Sequence, residues 1–336
     1  MSTAVLVTGG AGYIGSHTCK ALAHAGFTPV TLDSLVFGHR SAVRWGPFVE
    51  GDLADEALVG RVLREHRIEA VVHFAAFAYV GESMQQPARY FHNNVGNTIC
   101  LLNAMQDAGV ERIVFSSTCA TYGVPDSTPI DEGHPQRPVN PYGESKLMVE
   151  RMLQWFANAE HLRYVALRYF NAAGADLDGE IGERHDPETH LIPLAIEAAQ
   201  GRRPAVSIFG TDYDTPDGTA IRDYIHVADL ARAHVAALQY LRVGGDSTAV
   251  NLGTGNGHSV RDVIEMIETV GGVPVPYVEQ PRRAGDPPAL VAASGKAGEV
   301  LGWTPQCSDL RTIIATAWDW HASQGVRELA ASSGVE

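Results

Sequence analysis

Near its N-terminus the chain reads Thr8-Gly9-Gly10-Ala11-Gly12-Tyr13-Ile14-Gly15-Ser16. The apolar run 4–7 before it is typical of a buried parallel strand, and residues 13–25 after it have the apolar spacing of a helix. In such a strand–turn–helix the first glycine permits a tight turn, the second lets backbone approach a pyrophosphate, and the third lets the helix lie close to the sheet. The helix N-terminus then offers free N–H groups to the phosphates. The stretch therefore predicts a dinucleotide-binding turn at Gly9, Gly12 and Gly15.

Two acidic residues follow the next strands. Asp33 closes the second apolar run, where a carboxylate accepts hydrogen bonds from the adenosine ribose and repels a 2′-phosphate. We therefore expect NAD, with Arg40 a few residues on as the one feature that favours NADP. Asp52 follows the third strand and is interpreted in two ways, as a partner of the adenine amino group or as a cap for the helix beginning near Asp55.

From the N-terminus to about Arg168, apolar strands alternate with helical segments. We predict strands near 4–8, 29–33, 46–50, 69–75, 111–117 and 163–169, and helices near 13–25, 55–66, 87–108 and 142–159. This alternation predicts an α/β fold, a doubly wound parallel sheet of the Rossmann type. Beyond it, glycine-, proline- and acid-rich stretches predict a smaller C-terminal lobe with long functional loops.

The two parts are expected to interleave. We assign 1–168 to a NAD-binding domain and 169–336 to a substrate lobe. The helical segment 227–241 and the strand 249–252 are predicted to return to the large sheet.

Composition excludes some classes of partner. The 336 residues include 39 acidic and 25 basic side chains, a net charge of −14, which opposes binding to nucleic acid or to anionic membranes. No apolar run approaches the ~20 residues of a membrane span, and the N-terminus runs directly into the first strand. Four cysteines without paired or metal-like spacing indicate a reduced setting, so we expect a cytoplasmic protein.

A tyrosine and a lysine carry the predicted chemistry. Tyr142 and Lys146 lie four residues apart at the start of a predicted helix, so that their side chains share one face. A nearby ammonium, helped by a cationic nicotinamide ring, would favour the phenolate and bring the pKa of the tyrosine toward neutral pH. Thr118, at the end of the preceding strand, is placed to share a hydrogen bond with a substrate hydroxyl and pass its proton to Tyr142.

These segments together resemble the extended short-chain dehydrogenase/reductases, in particular their nucleotide-sugar 4-epimerases, over nearly the whole chain. The resemblance rests on the glycine-rich turn and on the blocks His73-Phe74-Ala75-Ala76, Val80-Gly81-Glu82-Ser83, Asn93-Asn94-Val95, Tyr142-Gly143-Glu144-Ser145-Lys146, Arg168-Tyr169-Phe170-Asn171, Arg222-Asp223-Tyr224-Ile225-His226-Val227 and Pro281-Arg282-Arg283-Ala284-Gly285-Asp286. Dehydratases of this superfamily carry an Asp-Glu pair directly after the threonine. Here Cys119 and Ala120 replace it, which favours epimerisation over dehydration.

The resemblance implies roles for individual residues. Tyr142 would remove the proton of the sugar 4-hydroxyl, Lys146 would lower the pKa of Tyr142 and hold the nicotinamide ribose, and Thr118 would assist the proton transfer. The implied cofactor site comprises Gly9, Gly12, Tyr13, Ile14, Gly15, Asp33, Asp52, Leu53, Phe74, Ala75, Ala76, Asn94, Tyr142, Lys146 and Tyr169. The implied UDP-sugar site comprises Thr118, Tyr142, Asn171, His190, Leu191, Phe209, Arg222, Arg283, Asp286 and Leu290.

Within the UDP-sugar site, the arginines would bind the diphosphate, Asp286 the uridine ribose, and Phe209 would form a wall for uracil. The arginines could instead pair with surface acids, and Phe209 could equally belong to the core. The histidines, including His185 and His190, show no spacing with cysteines or acids that indicates a metal site, so no metal is predicted.

The implied activity is an isomerisation, the interconversion of UDP-glucose and UDP-galactose with NAD and a transient 4-keto sugar. Several alternatives stay open: UDP-xylose and UDP-arabinose as substrates, net oxidation or decarboxylation of a nucleotide sugar, and a non-catalytic dinucleotide sensor. Leu290, where side-chain bulk would decide on N-acetylated sugars, leaves that choice open. The resemblance also implies a homodimer through the helices near 87–108 and 142–159.

Overall fold

The computed structural model of the chain describes residues 2–283 and 285–332. Its strands are β1 Ala4–Thr8, β2 Thr28–Asp33, β3 Phe48–Glu50, β4 Ala70–His73, β5 Arg112–Thr118, β6 Arg163–Tyr169, β7 Asn171–Ala173, β8 Val206–Phe209, β9 Ile221–Arg222, β10 Tyr224–His226, β11 Thr248–Leu252, β12 His258–Ser259, β13 Tyr277–Gln280 and β14 Ala289–Leu290.

The helices are α1 Tyr13–His24, α2 Glu56–Glu65, α3 Val80–Gln85, α4 Pro87–Tyr90, α5 Asn97–Ala108, α6 Pro141–Glu160, α7 Leu191–Ala199, α8 Val227–Arg242, α9 Val260–Gly271, α10 Gly295–Leu301 and α11 Leu310–Ser332, with a π-helical segment, Phe91–Gly96, between α4 and α5. Among the residues described, every helix is too short or too polar to cross a bilayer.

The large sheet has seven parallel strands in the order β11-β6-β5-β4-β1-β2-β3. Alternate residues of β1 serve its two faces, because side chains of a strand point to opposite sides. Val5 and Val7 pack with Leu22 of α1 and Leu230 of α8 on one face. On the other face Leu6 packs with residues of α2, α5 and α6. The doubly wound Rossmann-type fold predicted from the alternation of elements is confirmed.

The predicted elements of the first half are confirmed to within a few residues, from β1 to α6. The helix predicted over 87–108 differs, because it contains the π-helical segment. There Asn94 turns its side chain to the loop after β4, where its amide accepts from the Phe77 N–H at 2.8 Å and donates to the Phe77 carbonyl at 3.0 Å. Such π-helical turns are frequent at functional sites.

The smaller lobe has its own apolar core. Ile196 of α7, Val263 of α9 and Ile313 of α11 are buried together. The short sheets β10-β7 and β13-β8 contribute residues to this core, and a third short sheet has the order β12-β9-β14. The strand predicted at 249–252 extends over Thr248–Leu252 and pairs with β6, and α8 before it packs on α1. The second half of the chain thus contributes to both cores.

Candidate active site

A cleft of about 1240 Å³ opens at the carboxyl ends of the parallel strands. Its walls come from the turn after β1, the ends of β2 and β5, the start of α6, and the small sheet β12-β9-β14 with its flanking loops. Ligands of open α/β sheets bind at this edge, outside the carboxyl ends of the strands. The topology therefore brings the two ends of the predicted site, the glycine turn and the arginines, into one continuous space.

The glycine-rich turn has the shape that a pyrophosphate requires. Gly9 has φ +71°, and a Cβ there would lie 2.7 Å from the Ala75 nitrogen. A Cβ on Gly15 would lie 2.2 Å from the Gly9 carbonyl oxygen, so α1 can approach the turn only with glycine at this position. Gly12 caps α1 and offers no side chain to its N-terminus. The N–H groups at this end of α1 are therefore free for an anion.

The Asp33 carboxylate is fixed by backbone N–H groups of the glycine-rich turn and of the loop after β2. Its carboxylate accepts from the Ala11 N–H at 3.0 Å and from the Leu35 N–H at 2.8 Å. Burial raises the pKa of this carboxyl, and the two N–H donors oppose that shift. A carboxylate has about four acceptor positions, so two stay available for ribose hydroxyls. Arg40, the residue that favours NADP, lies over the Phe48 ring at 4.6 Å.

Asp52 does not cap α2. That role belongs to Asp55, which accepts from the Leu58 N–H at 2.9 Å. Asp52 lines the cleft, and one of its carboxylate oxygens accepts from the Ala54 N–H and from the Asn97 amide. The first of the two interpretations of Asp52, a residue facing the adenine end, therefore fits its position better.

Tyr142 stands in the first turn of α6, next to Pro141 at the start of the helix. Asn140 caps that turn by accepting from the Gly143 N–H at 2.8 Å. Tyr142 is 9% exposed and lines the cleft, as does Thr118 at the end of β5. The hydroxyl of Thr118 accepts from the Ala120 N–H at 3.1 Å. The proline, the cap and the strand end together bring these two hydroxyl side chains to one wall.

Burial acts against the predicted effect of Lys146 on Tyr142. Burial raises the pKa of Tyr142 well above its ordinary range, and the Thr118 hydroxyl offsets only part of that shift. Lys146 is also buried, and its amino group donates to the Ser116 carbonyl at 2.9 Å. Burial lowers the pKa of Lys146 to about 7, so this lysine supplies less positive charge than an exposed one would. Desolvation thus disfavours the charged form of each group.

A buried polar network lies beneath the wall that carries Tyr142 and Thr118. Arg168 of β6 forms an ion pair with Glu150 of α6 at 2.6 Å, and both side chains are less than 10% exposed. Glu150 also accepts from the Ser117 hydroxyl at 2.5 Å, and Arg168 donates to the Tyr122 hydroxyl at 3.0 Å. The network joins α6 to the ends of β5 and β6, and so fixes Tyr142 and Thr118 relative to each other.

The opposite end of the cleft carries the arginines. Arg222 of β9 forms an ion pair with Asp286, and both line the cleft. Arg283 also lines it, and its guanidinium lies 4.0 Å from the centroid of the Phe209 ring. Phe209 therefore presents its face to an arginine of its own chain. Leu290 pairs with Arg222 across the sheet and completes this wall.

The model of the "NAD dependent epimerase/dehydratase family" matches residues 5–253. The chain belongs to this family. A UDP-glucose 4-epimerase of Rhizobium leguminosarum bv. trifolii is 56% identical over 318 residues, which cover 95% of this chain and 97% of that protein.

Two solved structures bear on the ligands of family members. A UDP-glucose 4-epimerase from Brucella ovis in complex with NAD is 56% identical, with a TM-score of 0.93 over 95% of this chain and 98% of that one. A UDP-glucose-4-epimerase from Stenotrophomonas maltophila holds NAD and formylated UDP-arabinopyranose. It is 43% identical, with a TM-score of 0.94 over 97% of this chain and 99% of that one.

Most residues expected to form this epimerase/dehydratase site come together. Those that line the cleft are Gly9, Gly12, Tyr13, Ile14, Gly15, Asp33, Asp52, Leu53, Phe74, Ala75, Ala76, Thr118, Tyr142, Lys146, Tyr169, Asn171, His190, Arg222, Arg283, Asp286 and Leu290. Asn94, Leu191 and Phe209 are not among the described residues that line it. Asn94 supports the Phe77 loop, Leu191 packs on the core of the smaller lobe, and Arg283 covers Phe209.

Other cleft residues of this family member were not predicted. Phe37 packs edge-on against Phe77 and Tyr79 at ring-centroid distances of 5.6 and 5.2 Å. Glu183 and His185 enter the wall from the long loop before α7. The aromatic residues carried no periodic signal because they lie in irregular segments. For the loop, the alternation of acids and histidines over 183–190 was the signal that could have been followed.

Proposed function

We propose that the chain is an NAD-dependent UDP-glucose 4-epimerase, which interconverts UDP-glucose and UDP-galactose through a transient 4-keto sugar. The observation that carries this proposal is the continuity of one cleft from Gly12 and Asp33, past Tyr142 and Thr118, to Arg222. This order of anion-binding turn, hydroxyl pair and cationic end suits a dinucleotide and a nucleotide sugar that meet at Tyr142. Relatives with this name cover the chain almost completely.

The residues at the glycine turn fit NAD, which relatives hold in their structures. The uncapped N-terminus of α1 is suited to the pyrophosphate, and Asp33 to the adenosine ribose. Lys146 and Tyr169 are the proposed residues for the nicotinamide end. When bound there, NAD accepts hydride from the sugar, returns it, and contributes a positively charged ring.

Tyr142 acts as the proton acceptor and donor in this proposal. Its phenol oxygen takes the proton of the sugar 4-hydroxyl and gives it back after the carbon has inverted. Thr118, on the same wall, hydrogen bonds the sugar hydroxyl and relays the proton. Because burial raises the pKa of Tyr142, the phenolate must be stabilised by positive charge next to it. Lys146 supplies a part of that charge.

The cationic end of the cleft holds the nucleotide while the sugar turns. Arg222 and Arg283 are proposed to bind the diphosphate, since a guanidinium offers planar, permanently charged donors. Asn171 adds a donor, and Asp286 accepts from the uridine ribose. Arg222 and Asp286 already hold each other in position, so the pair is preorganised for a ligand that bonds to both.

Residues next to Thr118 favour epimerisation over loss of water. Cys119 and Ala120 both line the cleft directly after β5. Neither residue is a usable acid at neutral pH, because burial raises the pKa of the Cys119 thiol to about 12 and alanine has no proton to give. A 4-keto sugar formed here would therefore keep its hydroxyl groups until it is reduced again.

The test is direct turnover. Purified protein is incubated with UDP-galactose without added cofactor, products are separated by chromatography, and absorbance near 340 nm is followed. We expect UDP-glucose to accumulate to a constant ratio without lasting NADH. Net NADH formation would instead indicate an oxidoreductase, and no turnover even with NAD supplied would contradict the proposal.

A pentose substrate is the second candidate. A relative at 43% identity holds formylated UDP-arabinopyranose. Leu290 lines the cleft beside Arg222, and none of the sequence motifs reads the hydroxymethyl group by which a hexose differs from a pentose. Parallel incubations with UDP-galactose and UDP-xylose, compared by kcat/KM, decide between the two: a higher value for UDP-xylose would replace the hexose proposal.

We also propose a homodimer formed by α5 and α6. Three large apolar side chains on these helices are exposed: Ile99 at 42%, Met148 at 36% and Trp155 at 74%. Light scattering should give twice the chain mass for the wild type and for Val243→Glu, an apolar position directly after α8 that is 86% exposed. Trp155→Glu should shift the population to monomer, and a dimer unaffected by it would contradict this interface.

Two further assignments belong to the same proposal. A NAD-binding domain over 1–168, joined by 226–252, and a substrate lobe over the rest of 169–336 agree with the two apolar cores. A cytoplasmic setting agrees with the free thiols of Cys19, Cys100, Cys119 and Cys307.

A further inference from the structure

The long loop between β7 and α7 gathers two histidines and two glutamates at the cleft wall. Glu183, His185, Glu188 and His190 each offer one atom to a common centre, and these four atoms lie within 4.8 Å of one another. We propose that this cluster is a Zn²⁺ site, formed by the two imidazole Nδ1 atoms and the two carboxylates. This inference goes beyond the proposed epimerase activity and does not depend on it.

The distances between the side chains bracket those of a tetrahedral zinc shell. Zn²⁺ binds imidazole nitrogen and carboxylate oxygen at about 2.0–2.2 Å, which sets neighbouring ligand atoms about 3.3 Å apart. The His185 Nδ1 atom lies 3.2 Å from Glu183 and 3.6 Å from Glu188. The His190 Nδ1 atom lies 2.7 Å from Glu183 and 3.2 Å from Glu188. The two separations of 3.2 Å match the edge of such a tetrahedron, and those of 2.7 and 3.6 Å lie on either side of it. The two Glu188 distances involve different oxygens, Oε2 toward His185 and Oε1 toward His190.

A second observation concerns the hydrogen bonds of these side chains. The Glu183 Oε1 and His185 Nδ1 atoms are buried, and neither makes a hydrogen bond within the described part of the chain. The Glu183 side chain is only 5% exposed. These two atoms lie 3.2 Å apart, but their orientation does not allow a hydrogen bond between them. Such an orientation is expected for ligands that point to a common ion. A buried carboxylate oxygen that makes no hydrogen bond, even with imidazole nitrogens next to it, is otherwise costly.

The surroundings hold the four side chains in place. Glu188 accepts from the N–H groups of Thr189 and His190 at 2.7 and 2.9 Å. The Trp320 indole donates to the Glu183 carbonyl at 2.9 Å, and a Cβ on Gly182 would lie 2.5 Å from that indole. Metal ligands are commonly oriented by outer hydrogen bonds of this kind. Contacts from its own backbone and from Trp320 therefore hold the loop that carries the cluster.

The donor set selects the class of metal. Two imidazoles and two carboxylates suit zinc and neighbouring transition metals, whereas Mg²⁺ and Ca²⁺ require more oxygen ligands. A second acidic group, Asp176, Asp178 and Glu180, differs because the Lys20 ammonium contacts all three carboxylates. Lys20 already supplies the charge that a cation would bring there, so that group carries no metal proposal.

The expected consequence of zinc is a fixed loop. His190 directly precedes α7, and the side chains of Glu183, His185 and His190 line the cleft. Zn²⁺ bound to Glu183 and His185 on one side and to Glu188 and His190 on the other would restrict the motion of this part of the cleft wall. That role is structural, because four protein ligands leave no open position on a tetrahedral ion.

The test measures metal content on full-length protein made without a polyhistidine tag. Chelator-treated protein is given excess Zn²⁺, desalted, and analysed by mass spectrometry for metal and by amino-acid analysis for protein. We expect one equivalent of Zn²⁺ per chain in the wild type and in His92→Gln, an exposed histidine outside the cluster. The double variant H185Q/H190Q should lose that equivalent, with affinity in a chromophoric competition assay reduced more than about 100-fold.

Two further measurements keep the proposal open to failure if the double variant does not fold. Co²⁺ added to wild-type protein should give the intense visible absorption of a tetrahedral site, displaced by Zn²⁺. Anomalous scattering from wild-type crystals at the zinc edge should give one peak between the four side chains.

The proposal is overturned by less than about a tenth of an equivalent in the wild type, by equal zinc content in the folded double variant, or by an anomalous peak elsewhere. In each case the cluster would be a metal-free group of proton-bridged ion pairs. None of these readouts depends on turnover, so the metal site and the epimerase proposal can fail separately.

Discussion

Two buried side chains at the cleft have pKa values shifted toward their neutral forms. Tyr142 is buried, and its pKa is raised, at the one position where the proposed reaction needs a proton acceptor. Its neighbour Lys146 is buried as well and has a pKa lowered to about 7. Burial disfavours both the phenolate of Tyr142 and the ammonium of Lys146, so neither group is readily charged alone. We infer that ligand binding charges them, so that the base is formed only when the cleft is filled.

Removal of the phenol oxygen tests the role of Tyr142. The substitution Tyr142→Phe should lower kcat for UDP-galactose by about 10²–10⁴-fold, the usual contribution of a positioned acid or base. Binding of UDP, measured by calorimetry, should change little. The matched control is Tyr277→Phe, at a half-exposed position on β13. A kcat for Tyr142→Phe within a few-fold of the wild type would rule out the assignment.

Asp33 provides a second prediction at this scale. The substitution Asp33→Ala should weaken NAD binding by at least about tenfold, because charge-assisted hydrogen bonds contribute about 1.5–3 kcal/mol. It also removes the acceptor of the Ala11 and Leu35 N–H groups, so the turn itself should loosen. NAD affinity is measured by calorimetry on NAD-free protein. Asp107→Ala, on the exposed side of α5, serves as the control, and equal affinity in the two variants would exclude the ribose role.

At the level of elements, the ion pair between α6 and β6 decides where the proposed base stands. Glu150 and Arg168 are both buried, and each also bonds a hydroxyl of the wall behind the cleft. Pairing keeps the pKa of Arg168 above its ordinary value even though burial opposes its charge. The sheet strand and the helix are therefore joined by charge as well as by apolar packing.

Breaking that pair should be costly. Glu150→Gln leaves the Arg168 guanidinium buried without a countercharge, and we expect a loss of about 3–5 kcal/mol in the free energy of unfolding. Urea denaturation followed by circular dichroism measures it. The exposed pair of Arg282 with Asp212 provides the comparison, since Asp212→Asn should leave the urea midpoint nearly unchanged. Equal effects of the two substitutions on the urea midpoint would show that burial of the Glu150–Arg168 pair does not increase its contribution to stability.

For the whole molecule, buried histidines contribute to the response to acid. His17, His73, His226 and His234 are at most 3% exposed. Burial lowers the pKa of His73 to about 3 and that of the other three to about 4. Below pH 6.5 the unfolded chain binds protons at these positions and the folded chain does not. Stability should therefore fall as the pH decreases from 6.5 toward 4.

The size of this effect can be estimated. Each pH unit costs about 1.4 kcal/mol per histidine, so one histidine contributes about 2 kcal/mol of lost stability between pH 6.5 and 5. Urea unfolding at the two pH values should give a smaller difference for His234→Leu than for the wild type, by about that amount. His92→Gln should behave as the wild type. An unchanged pH dependence in His234→Leu would mean that the buried ring is protonated in the folded chain.

Much of the fold and the cofactor choice followed from local sequence. Glycine spacing at 9, 12 and 15, apolar strands and helical periodicity are properties of neighbouring residues, and they predicted the Rossmann-type sheet and its first six strands. The binding of NAD, predicted from the turn and Asp33, agrees with relatives that hold NAD. These features are local because a turn and a strand end are formed by residues adjacent in the chain.

Tertiary structure alone decided how distant side chains meet. The pairs Arg168–Glu150 and Arg222–Asp286 join residues 18 and 64 positions apart, and the Tyr122 hydroxyl donates to the Asn251 amide 129 positions away. The pKa of Tyr142 also depends on burial, which raises it and so opposes the predicted effect of Lys146. Spacing along the chain records neither solvent exclusion nor the approach of one segment to another. For that reason the glycine turn was predictable from sequence, and the ion pairs and the Glu183–His190 cluster required the folded chain.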